Sequence, residues 1–308
     1  MRKIKSMLHQ LHLISYQNRL TALSVALLFF LSGCGGVAQG AALQPTSTPS
    51  APAATNTPTA IGYAVLAPQP SGTATLTWDP AGNHALTVTL AVIGLAPAHP
   101  SSYQSAPYPA VIGMGTCQQR GSVVNDLTPV TADQYGAGTS TTAIQGVTGG
   151  IPTKGWFLAL QSPGAANQRA VLACTNILNP TASPTSKQTV KMNLPGLTHD
   201  QGGQAALGKA RLVLSGTTLT VTLTLDNLAP GSQHEAHIHA GSCAKQGPVV
   251  HPLPTVKADA SGRAQVKAVI QNVQSIPGDW YIHVHNGAEV TTQMGYQPIT
   301  CGDIFTGA

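Results

Sequence analysis

The chain has 308 residues, of which 42% are hydrophobic and only 8% charged, with 32 glycines and 23 prolines. Too few residues are charged for a long helical bundle or coiled coil, and the many glycines and prolines favour turn-rich β structure. The formal net charge is +5, but without the four basic residues in the first 19 positions the chain has 11 basic and 10 acidic residues, so it offers no electrostatic basis for binding nucleic acid.

Residues 1–34 have the pattern of an export signal. A basic stretch ends at Arg19, an apolar run follows as far as Leu31, and two small residues precede Cys34. The apolar run is short for a membrane-spanning helix, and small residues beside a cysteine suit peptidase cleavage. The segment resembles the lipobox of bacterial lipoproteins, which implies lipidation of Cys34. We therefore expect an extracytoplasmic protein, lipid-anchored to the outer face of the cell membrane; an ordinary signal peptide or an uncleaved anchor is the alternative.

Residues 35–60 consist almost entirely of small residues, proline, serine and threonine, and they carry no charge. Such a segment buries too little apolar surface to offset the entropy lost on ordering. We expect a disordered linker that holds the folded part away from the membrane.

Beyond the linker the chain repeats itself. Residues 86–97 match residues 219–230 at eight of twelve positions, and further landmarks recur in the same order, including a cysteine at 117 and 243 and a tryptophan at 156 and 280. Repeats of this kind indicate a duplicated domain. We predict two homologous domains, residues 61–182 and 187–308, each close to the commonest domain size.

Both repeats contain runs of alternating valine, threonine and leucine, separated by clusters of glycine, proline and asparagine. This pattern is typical of short antiparallel strands, and neither repeat has a capped amphipathic helix of ordinary length. The predicted fold class is all-β, with two tandem Greek-key β-sandwich domains.

Four cysteines remain once Cys34 is set aside for the lipid. They fall at matching positions in the two repeats, which favours the pairs Cys117 with Cys174 and Cys243 with Cys301. In an oxidising compartment each disulfide would contribute on the order of 4 kcal/mol by closing its loop. Free or metal-binding thiols are the alternative.

Two His-x-His motifs stand out in the second repeat, where six of the eleven histidines fall between residues 234 and 285. One motif contains His237 and His239, the other His283 and His285. Because side chains alternate across a strand, each motif places both imidazoles on one face. Two such strands brought together offer four imidazoles to one point, so we expect a metal site there.

His251, between the two motifs, could supply a fifth imidazole. Clustered imidazoles without cysteine suit copper, zinc or nickel, and the lack of a carboxylate-rich loop argues against calcium or magnesium. The alternative is a set of surface or hydrogen-bonded core histidines.

The first repeat keeps the landmarks of the second but has none of these histidines. Its residues at the positions of His237, His239, His251, His283 and His285 are Val111, Gly113, Asn125, Ala159 and Gln161. The fold therefore does not require imidazoles at these positions. We predict that the first repeat is degenerate and has no metal site.

The second repeat resembles two known families over most of residues 205–305. Residues 228–243, 253–262, 283–289 and 300–304 are similar to the metal-binding and disulfide regions of copper/zinc superoxide dismutases. Residues 236–241, 247–250 and 281–285, with the sequences AHIHAG, GPVV and YIHVH, resemble the motifs of the CHRD domain. Both resemblances imply a superoxide dismutase-like sandwich.

The dismutase resemblance implies that His237, His239 and His285 are copper ligands. His251 takes the place of either the copper–zinc bridging histidine or the last zinc histidine, and we favour a copper role because no other zinc ligands are visible. Copper is accordingly the expected cofactor, with zinc less favoured. In the dismutase family the metal alternately oxidises and reduces superoxide, which would make superoxide the substrate.

The second repeat also departs from the dismutase pattern. Its zinc loop is short, with Pro254 near the expected aspartate, and Pro298 replaces the arginine that attracts superoxide in that family. His283 is an additional imidazole, which we include among the candidate metal residues. Cys243 and Cys301 correspond to the family's intradomain disulfide.

Two functions therefore remain open from the sequence. One is a membrane-tethered copper-binding protein with superoxide dismutase activity of the copper-only type. The other is a non-catalytic CHRD-like module for copper storage, copper delivery or adhesion.

Overall fold

The computed structural model describes residues 58–99 and 101–307. The predicted export signal, Cys34 and the linker as far as residue 57 lie outside these residues. Within the described ranges, no helix has both the length and the apolar character needed to cross a membrane. Almost all the regular structure is β-strand, as the alternation of apolar residues predicts.

Nine strands precede residue 195: β1 (Ala60–Pro68), β2 (Ser71–Asp79), β3 (Ala85–Ile93), β4 (Tyr108–Gly115), β5 (Arg120–Val130), β6 (Gly138–Ile144), β7 (Trp156–Gln161), β8 (Val171–Ile177) and β9 (Gln188–Leu194). Ten strands follow: β10 (Leu207–Ser215), β11 (Thr218–Asp226), β12 (Gln233–His234), β13 (Ala236–Ala240), β14 (Val249–Pro252), β15 (Val256–Lys257), β16 (Ala264–Ile270), β17 (Trp280–His285), β18 (Pro298–Asp303) and β19 (Phe305–Thr306). The described helices are one turn of α-helix, α1 (Gln293–Tyr296), and two 3₁₀ turns, Ala166–Gln168 and His199–Gln201.

The strands form two β-sandwiches. In the N-terminal sandwich, one sheet has the order β6-β3-β2-β9 and the other β5-β4-β7-β8. The C-terminal sandwich has the same two layers, β16-β11-β10-β1 and β14-β13-β17-β18, which join where β1 pairs with β18. β12 and β15 form a small separate sheet. The predicted all-β sandwich class is confirmed.

The two sandwiches exchange their first strands. β1 belongs to the first sequence repeat, yet it pairs with β10 of the second, from Ala60 opposite Leu214 to Leu66 opposite Gly208. Conversely, β9 belongs to the second repeat and pairs with β2 of the first. Each sandwich therefore differs from its sequence repeat by one strand, and the chain beyond residue 60 forms a single intertwined unit.

Alternating apolar residues close each sandwich around its own core. Ala64 and Leu66 of β1 are buried in the C-terminal core, and Val190 and Leu194 of β9 are buried in the N-terminal core. This burial explains why an exchanged strand is held by side-chain packing as well as by backbone hydrogen bonds.

Both predicted disulfides are present. Cys117 is bonded to Cys174 and Cys243 to Cys301. Cys117 follows β4, and Cys174 lies in β8 of the same sheet. Likewise, Cys243 follows β13, and Cys301 lies in β18 of the same sheet. Cys301 is opposite His283 in the pairing of β17 with β18, so the second disulfide lies beside the histidine motifs.

Candidate metal centre

The histidine motifs lie on adjacent strands, β13 and β17. His237 is opposite His283, and His239 is opposite Tyr281. Between these positions, Ile238 of β13 and Ile282 and Val284 of β17 pack in the core with no exposed surface. The predicted common face for the imidazoles is therefore present, and it points away from the core.

Three imidazoles converge on this face. The candidate ligand nitrogens of His237, His239 and His285 all lie within 4.8 Å of one another. Nδ1 of His237 is 3.3 Å from Nε2 of His285. Two nitrogens bound to one metal ion through bonds of about 2.0–2.1 Å lie within about 4 Å of each other, so the spacing of His237 and His285 fits a shared ion, and His239 lies close beside them.

The partners of the remaining ring nitrogens fix the tautomers. Nδ1–H of His239 donates to the carbonyl of Gly247 at 2.9 Å, and Nδ1–H of His285 donates to the carbonyl of Tyr296 at 2.6 Å. Because a carbonyl only accepts, Nε2 of each ring carries the lone pair. These bonds aim both Nε2 atoms into the group.

His237 has the opposite tautomer, with its proton on Nε2. Its Nε2–H donates to Oε1 of Glu235 at 3.1 Å, which leaves the lone pair on Nδ1. That lone pair faces the lone pair on Nε2 of His285 across 3.3 Å. Nε2 of His239 is buried and has no hydrogen-bond partner among the described residues. Three buried lone pairs aimed at one another fit a bound cation, since without one they repel each other and lose their hydrogen bonds to water.

Burial keeps these imidazoles neutral. It lowers the pKa of His239 to about 4 and that of His285 to about 3. Burial also lowers the pKa of His237, although the carboxylate of Glu235 acts in the opposite direction. At neutral pH the lone pairs are therefore free of protons, as metal binding requires.

His283 lies beside the converging group but is not part of it. Its ring centre is 4.7 Å from that of His285 and 5.3 Å from that of His239. The side chain is buried, and neither ring nitrogen has a hydrogen-bond partner among the described residues. Burial, followed by the neighbouring imidazoles, holds its pKa well below the usual value. It is a neutral imidazole at the edge of the site.

His251 is not brought into the group. It pairs across β14 with Ile238, whose side chain points into the core, and its ring packs edge-on against Trp280 at 5.1 Å between ring centres. The expectation that His251 supplies a fifth imidazole is therefore not matched by its position in the structure. A bulge in the pairing between residues 238 and 239 and the alternation of the strand turn the side chain to the other face.

His234 lies outside the converging group and is buried. Its Nδ1–H donates to the carbonyl of His285 at 3.0 Å, and its Nε2 bonds to the hydroxyl of Ser232 at 2.7 Å. It therefore supports the end of β17. Sequence analysis also missed Glu235, although its position two residues before His237 on an extended segment places it on the same face.

In the N-terminal repeat, small or apolar residues occupy the positions equivalent to His237, His239 and His283. Val111 is opposite Ala159, as His237 is opposite His283 in the other repeat, and Gly113 is opposite Phe157. A Cβ at Gly113 would lie 2.4 Å from the ring of Phe157. The aromatic ring thus fills the space beside the position that His239 holds in the C-terminal repeat.

Comparison with known proteins supports one of the two resemblances. The model of the CHRD domain matches residues 181–291, a range that includes all three converging histidines. A crystal structure of a SOD-like protein from Bacillus subtilis is similar at 15% identity and a TM-score of 0.25, covering 35% of this chain and 93% of that one. The comparison with curated proteins found no match.

Proposed function

We propose that the chain is a copper-binding protein whose ion is held by Nδ1 of His237 and by Nε2 of His239 and His285. The observation that carries this proposal is the convergence of three buried imidazoles whose facing nitrogens have, among the described residues, no hydrogen-bond partner other than one another. His283, buried beside them with two unpartnered nitrogens, is the fourth imidazole available to the same ion.

The chemistry of the donors favours copper. All three converging atoms are imidazole nitrogens, with no thiolate or carboxylate among them. Nitrogen donors of this kind suit copper, zinc and nickel, and of these Cu²⁺ has the highest intrinsic affinity. Copper also changes oxidation state, which zinc does not, so a bound ion would allow one-electron chemistry.

Between the two uses of copper left open by the sequence, the geometry favours holding the ion over rapid turnover of superoxide. The three ligands expose at most 8% of their surface. The carboxylate of Glu235 is hydrogen-bonded to His237, and its negative charge repels an anionic substrate. Pro298 offers no compensating charge. We therefore propose copper storage or delivery as the main role, with superoxide dismutase activity as the second candidate.

The proposed location follows from the sequence alone. We infer that lipidation at Cys34 tethers the protein to the outer face of the cell membrane and that the linker extends the folded unit from it. Two disulfides in the folded unit agree with an oxidising compartment.

The first experiment is copper binding by the full folded chain. Purified protein is dialysed against Cu²⁺, Zn²⁺ or both, and bound metal is measured by mass spectrometry. We expect one copper per chain, bound in preference to zinc, and loss of that copper in His239→Ala. His199→Ala, which removes an exposed histidine, is the matched control. Equal copper content in wild type and His239→Ala would contradict the proposed centre.

A superoxide decay assay separates the two uses. After unbound copper is removed, we expect copper-loaded wild type to accelerate decay no more than His239→Ala that has been treated with copper and dialysed in the same way. A large acceleration that disappears in His239→Ala would instead establish a dismutase and overturn the storage role.

A further inference from the structure

The two ligands whose Nδ1 atoms donate to backbone carbonyls share a second feature. The carbonyl that orients His239 belongs to Gly247, and the one that orients His285 belongs to Tyr296. Each of these residues is the sequence neighbour of a buried glutamine, Gln246 in the first case and Gln297 in the second. Gln246 exposes 7% of its surface and Gln297 only 1%.

Both glutamines bond to the same short segment of the N-terminal repeat, residues 94–96, which follows β3. Nε2 of Gln246 donates to the carbonyl of Leu95 at 3.1 Å. Nε2 of Gln297 donates to the carbonyl of Gly94 at 2.7 Å, and its Oε1 accepts from the backbone N–H of Ala96 at 3.2 Å. One three-residue segment thus holds the neighbours of both orienting carbonyls.

Further bonds hold both glutamines in place. Oε1 of Gln297 also accepts from the hydroxyl of Tyr108 at 2.7 Å, and the backbone N–H of Gln246 donates to the carbonyl of Tyr135 at 3.1 Å. Both tyrosines belong to the N-terminal repeat. Each buried hydrogen bond contributes about 1 kcal/mol net, and a buried polar group left without a partner costs about 1–3 kcal/mol. Gln297 is therefore firmly fixed by the N-terminal repeat. Gln246 is held there by one side-chain and one backbone hydrogen bond, and its Oε1 is buried without a partner among the described residues.

The N-terminal repeat is also shaped to admit Gln246. Gly136 has φ of +75°, and a Cβ added to it would lie 2.1 Å from Nε2 of that glutamine. The carbonyl of Gly136 in turn accepts from the backbone N–H of Leu95 at 2.9 Å. A glycine at this point lets the side chain reach its acceptor.

We propose that the N-terminal repeat positions the ligands of the C-terminal repeat: segment 94–96 holds Gln246 and Gln297, and these fix the carbonyls that set the tautomers of His239 and His285. The repeat that lacks the histidines thus contributes to the metal centre by positioning its ligands. The N-terminal repeat orients the rings of His239 and His285 in the metal-free protein as well. The effect of this orientation on copper affinity rests on the function proposed above.

The first test uses the metal-free full chain. Nitrogen-15 NMR of the imidazoles reports which ring nitrogen carries the proton. We expect Nδ1–H for His239 and His285 in wild type. Gln246→Ala should give a mixture of tautomers at His239 alone, and Gln297→Ala should do so at His285 alone.

The matched control is Gln188→Ala, which removes a glutamine that is 3% exposed. Oε1 of Gln188 accepts from the backbone N–H of Ile151 at 2.8 Å and from Nδ2 of Asn179 at 3.0 Å, all far from the histidines in the fold. A general loss of stability would affect this variant equally, but we expect its imidazole spectrum to match wild type. Wild-type tautomers in both Gln246→Ala and Gln297→Ala would overturn the proposal.

The second test measures copper. Loss of groups that orient metal ligands lowers affinity by about 10–100-fold. We therefore expect the double variant Gln246→Ala/Gln297→Ala to bind Cu²⁺ with a Kd higher by that factor. We also expect its electron paramagnetic resonance spectrum to differ from that of wild type. Unchanged Kd and spectrum would overturn the link to the metal. If wild type binds no copper, the proposed function fails, while the tautomers of the metal-free protein still decide whether the N-terminal repeat positions the imidazoles.

Discussion

The exchange of first strands makes a prediction about Leu66. This residue lies in the first sequence repeat, but its side chain is fully buried in the core of the C-terminal sandwich. Truncating a fully buried leucine to alanine costs about 2–5 kcal/mol through lost transfer energy and the cavity left behind. We therefore expect Leu66→Ala to destabilise the sandwich that carries the histidines by about 3 kcal/mol.

The location of the effect is more informative than its size. A loss of about 3 kcal/mol raises the population of locally opened states roughly a hundredfold, which hydrogen exchange detects at individual amides. In Leu66→Ala we expect faster exchange in β10 and β11 and little change in β2 and β3. Leu76→Ala, which truncates a fully buried leucine of β2 in the N-terminal core, is the matched control and should give the opposite pattern.

The reasoning would be refuted if Leu66→Ala accelerated exchange in β2 and left β10 unchanged. That result would mean that β1 packs in solution with its own sequence repeat. A thermal shift is a simpler check, since about 3 kcal/mol corresponds to a fall in Tm of about 6–12 °C for a unit of this size.

Three further predictions concern the metal face. His251→Ala should leave copper content unchanged because its ring lies against the core side of the sheet; a loss equal to that in His239→Ala, measured by metal analysis, would make it a ligand. Histidines placed at Val111, Gly113 and Gln161, the positions matching the three ligands, should bind no second copper, because the ring of Phe157 fills the space that a side chain at position 113 needs; two copper ions per chain, measured by metal analysis, would refute this. Removing the disulfide at residues 243 and 301, which are 58 positions apart, by a double substitution to alanine should lower the free energy of unfolding by about 2–5 kcal/mol; a change below about 1 kcal/mol in chemical denaturation would contradict it.

Much of the metal face could be predicted from the sequence because it depends on local geometry. Alternation along an extended strand is enough to place His237 with His239, and His283 with His285, on shared faces. Repetition of the cysteines at matching positions is likewise enough to pair Cys243 with Cys301. These inferences do not depend on how the two sandwiches are arranged.

Other features of the site required the fold. Which imidazoles converge depends on the register between β13 and β17 and on the bulge beside Ile238, and these separate His251 from the other ligands. Register is set by pairing between distant segments, so sequence spacing alone does not fix it.

The sequence by itself determined the all-β class, the disulfide pairs and the shared faces of the histidines, because each follows from local periodicity or from the recurrence of residues at matching positions. Only the tertiary structure decided which sandwich each first strand joins, because β1 and β9 both alternate and either could complete either sheet. It also decided that Gln246 and Gln297 meet residues 94–96, since these bonds join segments about 150 to 200 residues apart. Contacts over such separations depend on the packing of the whole chain.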